Sequence, residues 1–347
     1  KINNQLTLVL YNLGVNKFLK EEKMNKAIAL SFVAASILTA NDLNTLTIEA
    51  KALTQTIENV RGEDLKSADL AEALSKESSS VSLIRRSGIA NDILVRSQKK
   101  DNIAVDIDGC CIAGACPNRM DPPTSHIVTS NVEDVEITGG PFDVESFGVL
   151  SAKVSIKTKE PTKELSGDIN ANIGSYDYNK LSATVSGGND KVRVLIGASN
   201  ETGGQYKDGD GNTLAQQLSL TTETKKYQDA YSNMDAFSKK TGNLKLFVNP
   251  TDNTELRFGY MANRSDDILY PSSTMDAIYD DSNLYSFGAT AKNLSNFSKE
   301  LSLDIYKSDV QHLMSTRYRN TPLTDAYVET EMMGAKLKNQ FDISNQK

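Results

Sequence analysis

The residues of this chain with the most distinctive chemistry are its sulfur and imidazole groups, which are few and unevenly placed. The 347 residues include three cysteines and two histidines. All the cysteines fall within the stretch Asp108–Pro123 (DGCCIAGACPNRMDPP): Cys110, Cys111 and Cys116. Met120 lies in the same stretch, and His126 follows it closely. Soft sulfur ligands at this density favour copper over other metals.

A second group of the same kind lies far downstream, where His312 is followed by Met314. Residues two apart in a strand point to the same face. Cys116 and Met120, four residues apart, point one way if they form a helical turn or a tight loop. One thiolate, two thioethers and one imidazole would make a mixed site suited to Cu(I) and also able to hold Cu(II). Structural zinc sites use Cys and His without such a thioether pair.

The strand pattern around His312 predicts which way its side chain points. In LSLDIYKSDVQHLMS (301–315) the leading apolar positions are odd: Leu301, Leu303 and Ile305. His312 and Met314 are at even positions, so they share the opposite face. If the apolar face contacts lipid, these two side chains point inward, toward whatever the strand encloses.

Each sulfur residue also has a simpler role open to it. A disulfide from Cys116 to Cys110 or Cys111 would remove its sulfur from any metal site, and an exported protein permits one. Cys110 and Cys111 are alternatively an accessory copper site. Met275 is a candidate for transient copper binding on the extracellular side, although anchoring its loop is the simpler role. His126 is assigned to a surface or interface position rather than to the ligand set.

Composition and charge argue against several classes of protein. The chain carries 45 acidic and 38 basic residues, a net charge of −7, and has no basic stripe with interleaved aromatic residues. This pattern is not that of a nucleic-acid-binding protein. The sequence contains no defensible Ser-His-Asp arrangement and no phosphate-binding glycine loop, so we expect no enzyme activity.

The first 41 residues predict export. Residues 24–41 begin MNKAIALSFVAAS and combine a Met, a Lys, an apolar run and small residues, which is typical of a secretory signal peptide. The apolar run is too short to span a bilayer as a helix. We therefore expect residues 1–23 to be an upstream extension that belongs to no fold.

Residues 59–160 predict a small α+β domain. The segment SADLAEALSKE (67–77) places its apolar residues on one helical face, with Ser67 as a plausible N-cap. The segments SLIRRSGIANDILVRS and NIAVDIDG supply strands, as do 131–139 and 149–158. About a hundred residues are a normal size for one hydrophobic core.

Residues 161–347 change to long alternating segments separated by polar turns and loops. Short turns at one end and long loops at the other are typical of an antiparallel transmembrane β-barrel. A soluble β-sandwich is the alternative with the same period. A barrel around a plug needs about 22 strands, whereas this region supplies about eight or nine. We therefore expect the first third to half of a barrel, in a C-terminally truncated fragment.

The domain order resembles the plug and barrel of the TonB-dependent outer-membrane receptors. The resemblance rests on a helix, then VRS and NIAVDIDG, then ITGGPFDVESFG, then a strand ending in KTK. The family's Gly-Pro-aromatic-Gly signature matches four residues: Gly140, Pro141, Phe147 and Gly148. The family usually has Arg-Gly where this chain has Arg96 and Ser97.

This resemblance implies roles for particular residues. Segment 42–58 corresponds to the TonB box and its linker, and the box itself is similar to six residues: Thr45, Leu46, Thr47, Ile48, Glu49 and Ala50. The pair C-x-x-x-M in the plug with H-x-M in the barrel resembles the family's copper receptors. That likeness implies four metal ligands: Cys116, Met120, His312 and Met314.

The function expected from the resemblance is copper import across the outer membrane of a Gram-negative bacterium. Copper, free or from a carrier, would be captured between plug and barrel. The TonB energy-coupling complex of the inner membrane would then pull on the box and release copper to the periplasm, while the barrel contacts outer-membrane lipid. Two alternatives remain: a receptor for a siderophore or other metal chelate, and a non-transporting, copper-sequestering surface protein.

Overall fold

The structure is a computed structural model, and it describes residues 5–11, 54–58, 69–127, 129–140 and 149–341. The predicted signal peptide and TonB box lie outside these ranges, as do Pro141, Phe147 and Gly148 of the family signature. In the described ranges no helix is both long enough and apolar enough to cross a membrane.

Strands dominate the described residues, with two short helices. In chain order the elements are β1 Gln5–Tyr11, β2 Thr54–Glu58, α1 Leu70–Glu77, β3 Val81–Ile84, β4 Asp92–Val95, β5 Ile103–Ile107, β6 Cys110–Cys111, β7 Val132–Gly139, β8 Ala152–Thr158, β9 Ser166–Ile173, β10 Asn179–Gly188, β11 Val192–Gly203, α2 Leu214–Ser219, β12 Phe237–Thr251, β13 Thr254–Ile268, β14 Asp276–Lys292, β15 Ser298–Ser315 and β16 Asp325–Phe341.

The smaller unit, called here the small domain, contains β2 to β8 and α1. Five of its strands form one sheet in the order β2-β7-β8-β5-β6, in which β5 and β8 run parallel. The hairpin of β3 and β4 stands apart from this sheet. The strands predicted within 59–160 are therefore present, and the turn predicted at Asp108 and Gly109 joins β5 to β6.

The predicted helix of the small domain is present, but its predicted N-cap is wrong. The cap is Asp69 rather than Ser67, because the Asp69 carboxylate accepts a hydrogen bond from the N–H of Ala71 at 2.8 Å. The same carboxylate accepts from the N–H of Asn91 at 2.7 Å, which ties the start of the helix to the segment before β4. The apolar face expected for the helix is buried in the core.

The larger unit, called here the large sheet, is a nine-stranded antiparallel sheet in the order β1-β16-β15-β14-β13-β12-β11-β10-β9. Eight of its strands, β9 to β16, follow one another in the chain as a meander, which agrees with the eight or nine predicted. Its longest strands have 15 to 18 residues. Within the described residues the sheet is open, since β1 and β9 form its two edges.

The strand at one edge departs from prediction. Residues 1–23 were expected to lie outside any fold, yet Gln5–Tyr11 pairs with β16 as an antiparallel strand, from Gln5 opposite Gln340 to Tyr11 opposite Gly334. The segment QLTLVLY alternates polar and apolar residues at several positions. An open sheet edge presents unpaired N–H and C=O groups, and such an edge accepts any extended segment that can supply partners.

The large sheet turns its polar side chains toward the small domain and its apolar side chains outward. Lys239 is fully buried and donates to the carbonyls of Ser125 and Ile127 at 2.6 and 2.9 Å. By contrast, the outward side chains include exposed apolar residues on five of the strands: Leu181, Val185, Ile196, Leu244, Phe258 and Ile305. This inverted pattern is the one predicted for a barrel wall that surrounds a plug.

Candidate metal site

Cys116 and Met120 lie at the two ends of a tight turn in the small domain. The N–H of Arg119 donates to the carbonyl of Cys116 at 2.8 Å, and Pro117 occupies the position after Cys116, where its fixed φ suits a turn. Arg119 itself has a φ of 58°. The hydroxyl of Tyr270, from the large sheet, donates to the carbonyl of Met120 at 2.5 Å. The tight loop expected over 116–120 is therefore present.

Asp121 holds this turn in place. Its carboxylate accepts hydrogen bonds from the N–H groups of Ala115 at 2.5 Å and Cys116 at 3.0 Å. The loop passes so close that a Cβ on Gly114 would lie 2.1 Å from the carbonyl oxygen of Asp121. A glycine at 114 and a carboxylate at 121 together fix where the Cys116 thiol stands.

The other half of the site lies on β15. The register of β15 with β16 is unbroken from Glu300 to Ser315, so side-chain alternation is maintained as far as His312 and Met314. Both residues are buried on the side facing the small domain, whereas Ile305 is exposed on the other side. The predicted parity is therefore confirmed. Asp280 of β14 is directly opposite His312, and its Oδ1 lies 3.5 Å from the His312 Nδ1.

The four sulfur and imidazole residues come together where the two units meet. Cys116, Met120 and Met314 belong to one buried cluster, and the Cys116 thiol lies against the His312 ring. All four side chains are at most 8% exposed. Within the described chain, neither ring nitrogen of His312 has a hydrogen-bond partner. The structure thus gathers the predicted ligands, although metal binding by them stays a prediction.

Comparisons with known proteins give matches among solved structures. No protein-family model and no curated protein sequence matches the chain. The chain is similar to the copper transporter OprC, with a TM-score of 0.71 and 19% identity over 84% of this chain and 44% of that one. It is also similar to the FrpB iron transporter of Neisseria meningitidis, with a TM-score of 0.66 and 13% identity over 85% of this chain and 46% of that one. A third match is a mutant of the ferric enterobactin receptor PfeA of Pseudomonas aeruginosa in complex with enterobactin. Its TM-score is 0.62, with 14% identity over 81% of this chain and 46% of that one.

These matches are TonB-dependent receptors. This chain has the fold of the TonB-dependent receptors. The resemblance stated from the sequence is therefore confirmed for the fold. Because the matches extend over 44 to 46% of the other structures, the chain spans less than half of their length.

The departure from the TonB-dependent-receptor pattern at Arg96 and Ser97 has a conformational explanation. Both residues have positive φ, 51° and 64°. Glycine adopts this region without strain, which accounts for the family's preference for Arg-Gly at a turn of this shape. Here a serine takes a positive φ at the second position, so the turn after β4 forms with Arg-Ser.

The surroundings of Cys116 favour its thiolate. Burial raises the pKa of the thiol. Contact with the His312 ring and with the backbone N–H groups of Met120 and Asn118 lowers the pKa by more than burial raises it. The pKa of Cys116 therefore lies below its ordinary value. Since the thiolate is the form that binds metals, Cys116 is chemically suited to be a ligand.

Cys110 and Cys111 lie in different surroundings. All three cysteines are free, so the alternative of a disulfide from Cys116 is contradicted. Burial raises the pKa of both the Cys110 and the Cys111 thiol, and in Cys110 the Asp108 carboxylate adds to the effect. The two residues line a cavity of about 680 Å³ between the small domain and the large sheet, and Cys110 belongs to a separate core cluster from that of Cys116. Their accessory role stays a prediction.

The structure also places two residues whose roles the sequence left open. Met275 is partly buried and packs against the cluster that contains Cys116, so it adjoins the candidate site from the loop side. His126 is 1% exposed, which contradicts a surface position and agrees with an interface one. Its Nδ1 lies 4.0 Å from Oδ2 of Asp280.

Three residues of the site were missed by reasoning from the sequence: Asp121, Tyr270 and Asp280. Asp121 directly follows Met120, and an Asp beside a turn is a common backbone acceptor, so it was detectable. Asp280 becomes relevant only through its register with His312, which depends on the pairing of β14 and β15. Tyr270 comes from the segment between β13 and β14, and nothing in its sequence context points to Met120.

Proposed function

We propose that the protein is a TonB-dependent outer-membrane receptor that captures copper between plug and barrel and imports it into the periplasm. The small domain is the plug, and the large sheet is part of the barrel wall. The observation that carries the proposal is the meeting of Cys116 and Met120 with His312 and Met314 in one buried place, although two separate units supply them.

The chemistry of these four groups favours copper as the substrate. Two thioethers and a thiolate are soft ligands that suit Cu(I), and the imidazole lets the same set hold Cu(II). The His312 nitrogens are buried without a hydrogen-bond partner in the described chain, and a buried polar group of that kind costs free energy unless something binds it. A copper ion coordinated by one of them would remove part of that cost. The copper transporter among the matched structures supports this assignment.

The division of the site between two units suggests how copper is released. In the proposed cycle the TonB complex pulls on Thr45–Ala50 and shifts the plug, so that Cys116 and Met120 part from the ligands on β15. Several contacts between the units are polar hydrogen bonds, such as those of Lys180 with Thr129 and Lys245 with the carbonyl of Thr158. Water can replace such bonds as they break, which keeps the cost of separation low.

The outward face of the large sheet supports a membrane location. Its exposed aliphatic and aromatic side chains alternate with buried polar ones along successive strands. This arrangement suits contact with lipid on one side and with a polar interior on the other. We accordingly propose that the protein resides in the outer membrane of a Gram-negative bacterium, with outer-membrane lipid around the wall.

The leading alternative is a receptor for a ferric siderophore or other chelate. It is favoured by the matched iron transporter and ferric enterobactin receptor, neither of which is named for copper. A chelate receptor would not need Cys116 or Met120, because iron chelates bind through contacts to the chelator. The sulfur residues therefore distinguish the two functions.

Metal binding by the purified protein tests the proposal directly. We expect one tightly bound Cu(I), measured by competition with a colorimetric Cu(I) chelator, and a loss of about 100-fold in affinity in Cys116→Ala and in His312→Ala. Cys110→Ala is the matched control and should keep the tight Cu(I) site at wild-type affinity, because Cys110 belongs to a different cluster. Unchanged affinity in both site variants would overturn the copper site and favour the chelate receptor.

Copper uptake by cells tests whether import is coupled to the TonB complex. Deletion of residues 45–50 should abolish copper accumulation by cells while Cu(I) binding by the purified protein is retained. Accumulation that persists after the deletion would contradict coupling to TonB. Binding with no uptake by the undeleted protein would instead identify a copper-sequestering surface protein.

A further inference from the structure

One carboxylate beside the proposed copper site faces both histidines of the chain. Asp280 has its Oδ1 3.5 Å from Nδ1 of His312 and its Oδ2 4.0 Å from Nδ1 of His126. Asp121 completes a second group with His126 and Asp280, in which one ligand atom from each residue lies within 4.8 Å of the other two. The sulfur site explains His312 and uses Asp121 only as a backbone anchor, and it leaves His126 without a role.

The side chains of this group are almost completely buried and incompletely bonded. Asp121 is 0% exposed, and His126 and Asp280 are each 1% exposed. In the described part of the chain, both nitrogens of His126 and Oδ1 of Asp280 have no hydrogen-bond partner. Buried polar atoms nearly always have partners in native proteins, so several unpartnered ones that face one point leave positions that a ligand can fill.

The charge of the group points to a cation. Among the described residues, neither Asp121 nor Asp280 forms a salt bridge with a lysine or arginine. The nearby amine of Lys239 is already committed to the carbonyls of Ser125 and Ile127. Apart from Lys239, the groups that face the two carboxylates are the rings of His126 and His312. A metal ion would add positive charge where the carboxylates converge, which lowers the cost of burying them.

We propose that Asp121, His126 and Asp280 form a second metal site, for a borderline divalent ion such as Zn²⁺, next to the sulfur site and separate from it. Two carboxylates and one imidazole are ligands of Zn²⁺, whereas Cu(I) prefers sulfur. Ligands at about 2.0–2.2 Å in a tetrahedral zinc site are about 3.4 Å apart. Since the ligand atoms lie within 4.8 Å of one another, they need to approach by at most about 1.4 Å when the ion binds.

The elements that carry the group hold its backbone in place and leave each side chain an atom for a metal. Asp121 keeps its turn through two backbone N–H groups, and a carboxylate has about four lone-pair positions, so one remains for a metal. His126 ends the 3₁₀ turn Pro123–His126, which Lys239 clamps against the large sheet. Asp280 lies on β14. As with the sulfur site, ligands come from both units, so a bound ion would also hold the small domain against the large sheet.

Zinc titration of the purified protein tests this proposal. We expect Zn²⁺ binding to be retained in Cys116→Ala, where the sulfur site is disabled, and weakened by at least about 10-fold in His126→Gln. Co²⁺ serves as a spectroscopic probe: bound in Cys116→Ala, it should give visible absorption without the near-ultraviolet band of a thiolate ligand. Ser125→Ala, a change in the same buried turn that removes no proposed ligand, is the matched control and should bind Zn²⁺ normally.

Two results would overturn the second site. One is equal Zn²⁺ affinity of wild type and His126→Gln, and the other is loss of Zn²⁺ in Cys116→Ala with retention in His126→Gln. If the circular-dichroism spectrum of His126→Gln differs from that of the wild type, Asp280→Asn replaces it in the test. A Zn²⁺ affinity of Asp280→Asn equal to that of the wild type would then overturn the second site. Copper capture is tested separately, because Cu(I) affinity depends on Cys116 and should survive His126→Gln.

Discussion

Two cysteine-containing regions of the same small domain differ sharply, although six residues or fewer separate them. Cys116 opens a tight turn in which backbone N–H groups and the His312 ring favour the thiolate. Cys110 and Cys111 form the two-residue strand β6, where burial favours the neutral thiol. Neighbouring side chains on a strand point to opposite faces, so this pair is poorly arranged to bind one ion together.

The comparison shows that residue type alone does not decide which sulfur is chemically suited to be a ligand. Each region has an aspartate that anchors its backbone. Asp121 accepts from the N–H groups of Ala115 and Cys116, while Asp108 accepts from the N–H and hydroxyl of Thr158 at 2.8 and 2.7 Å. The first anchor, Asp121, orients N–H groups around the candidate site. The second anchor, Asp108, joins β6 and its turn to β8.

Removal of the first anchor should have the largest effect. Asp121→Ala leaves the N–H groups of Ala115 and Cys116 without acceptors, at about 1–3 kcal/mol of unfolding free energy for each buried group. The turn would relax, and we expect Cu(I) affinity to fall by about 10- to 100-fold. Chelator competition measures the affinity, and urea unfolding measures the free energy.

The matched change at the second anchor should separate stability from binding. Asp108→Ala removes the acceptor of Thr158 and the ion pair with Lys245, whose Nζ lies 3.0 Å from the carboxylate. We expect a loss of stability of about 1–3 kcal/mol, with Cu(I) affinity close to that of the wild type. Equal losses of copper affinity in the two variants would break the distinction between the regions.

The glycines of the two regions give a smaller and sharper test. Gly114→Ala puts a Cβ 2.1 Å from the Asp121 carbonyl oxygen, so the loop must move, at about 1–3 kcal/mol and about 10-fold in Cu(I) affinity. Gly109→Ala meets no atom within 4 Å but has a φ of +79°, which costs about 1–2 kcal/mol. Both variants should therefore be destabilised, and only Gly114→Ala should lose copper affinity.

Much of this arrangement could be predicted from the sequence because it depends on periodicity. Alternation along β15 is a local property, so the inward direction of His312 and Met314 followed from Leu301, Leu303 and Ile305. The turn over 116–120 was also local, since Pro117 restricts the backbone by itself. The helix at Leu70–Glu77 was recognisable for the same reason.

What failed or was missed depends on contacts between distant segments. Asp69 rather than Ser67 caps α1 because Asn91, 22 residues away, shares its carboxylate. His126 was assigned to a surface or interface position, but only the docking of the two units shows that it is buried against Asp280. The alternation within Gln5–Tyr11 is local, but its choice of β16 as partner is not. Periodicity fixes the direction of a side chain, whereas partners require the tertiary fold.

The last prediction concerns pH, and it tests the contrast between the thiols directly. Burial, and then the Asp108 and Asp106 carboxylates, raise the pKa of the Cys110 thiol, so the folded protein keeps that proton after the unfolded chain has lost it. Stability conferred by Cys110 should therefore fall as pH rises above about 8.5, by up to about 1.4 kcal/mol per pH unit. The difference in unfolding free energy between wild type and Cys110→Ala, measured in urea from pH 7 to 10, should shrink accordingly. In Cys116→Ala the difference should not shrink, because the pKa of that thiol is lowered, and a parallel decline in both variants would show that the two regions do not differ.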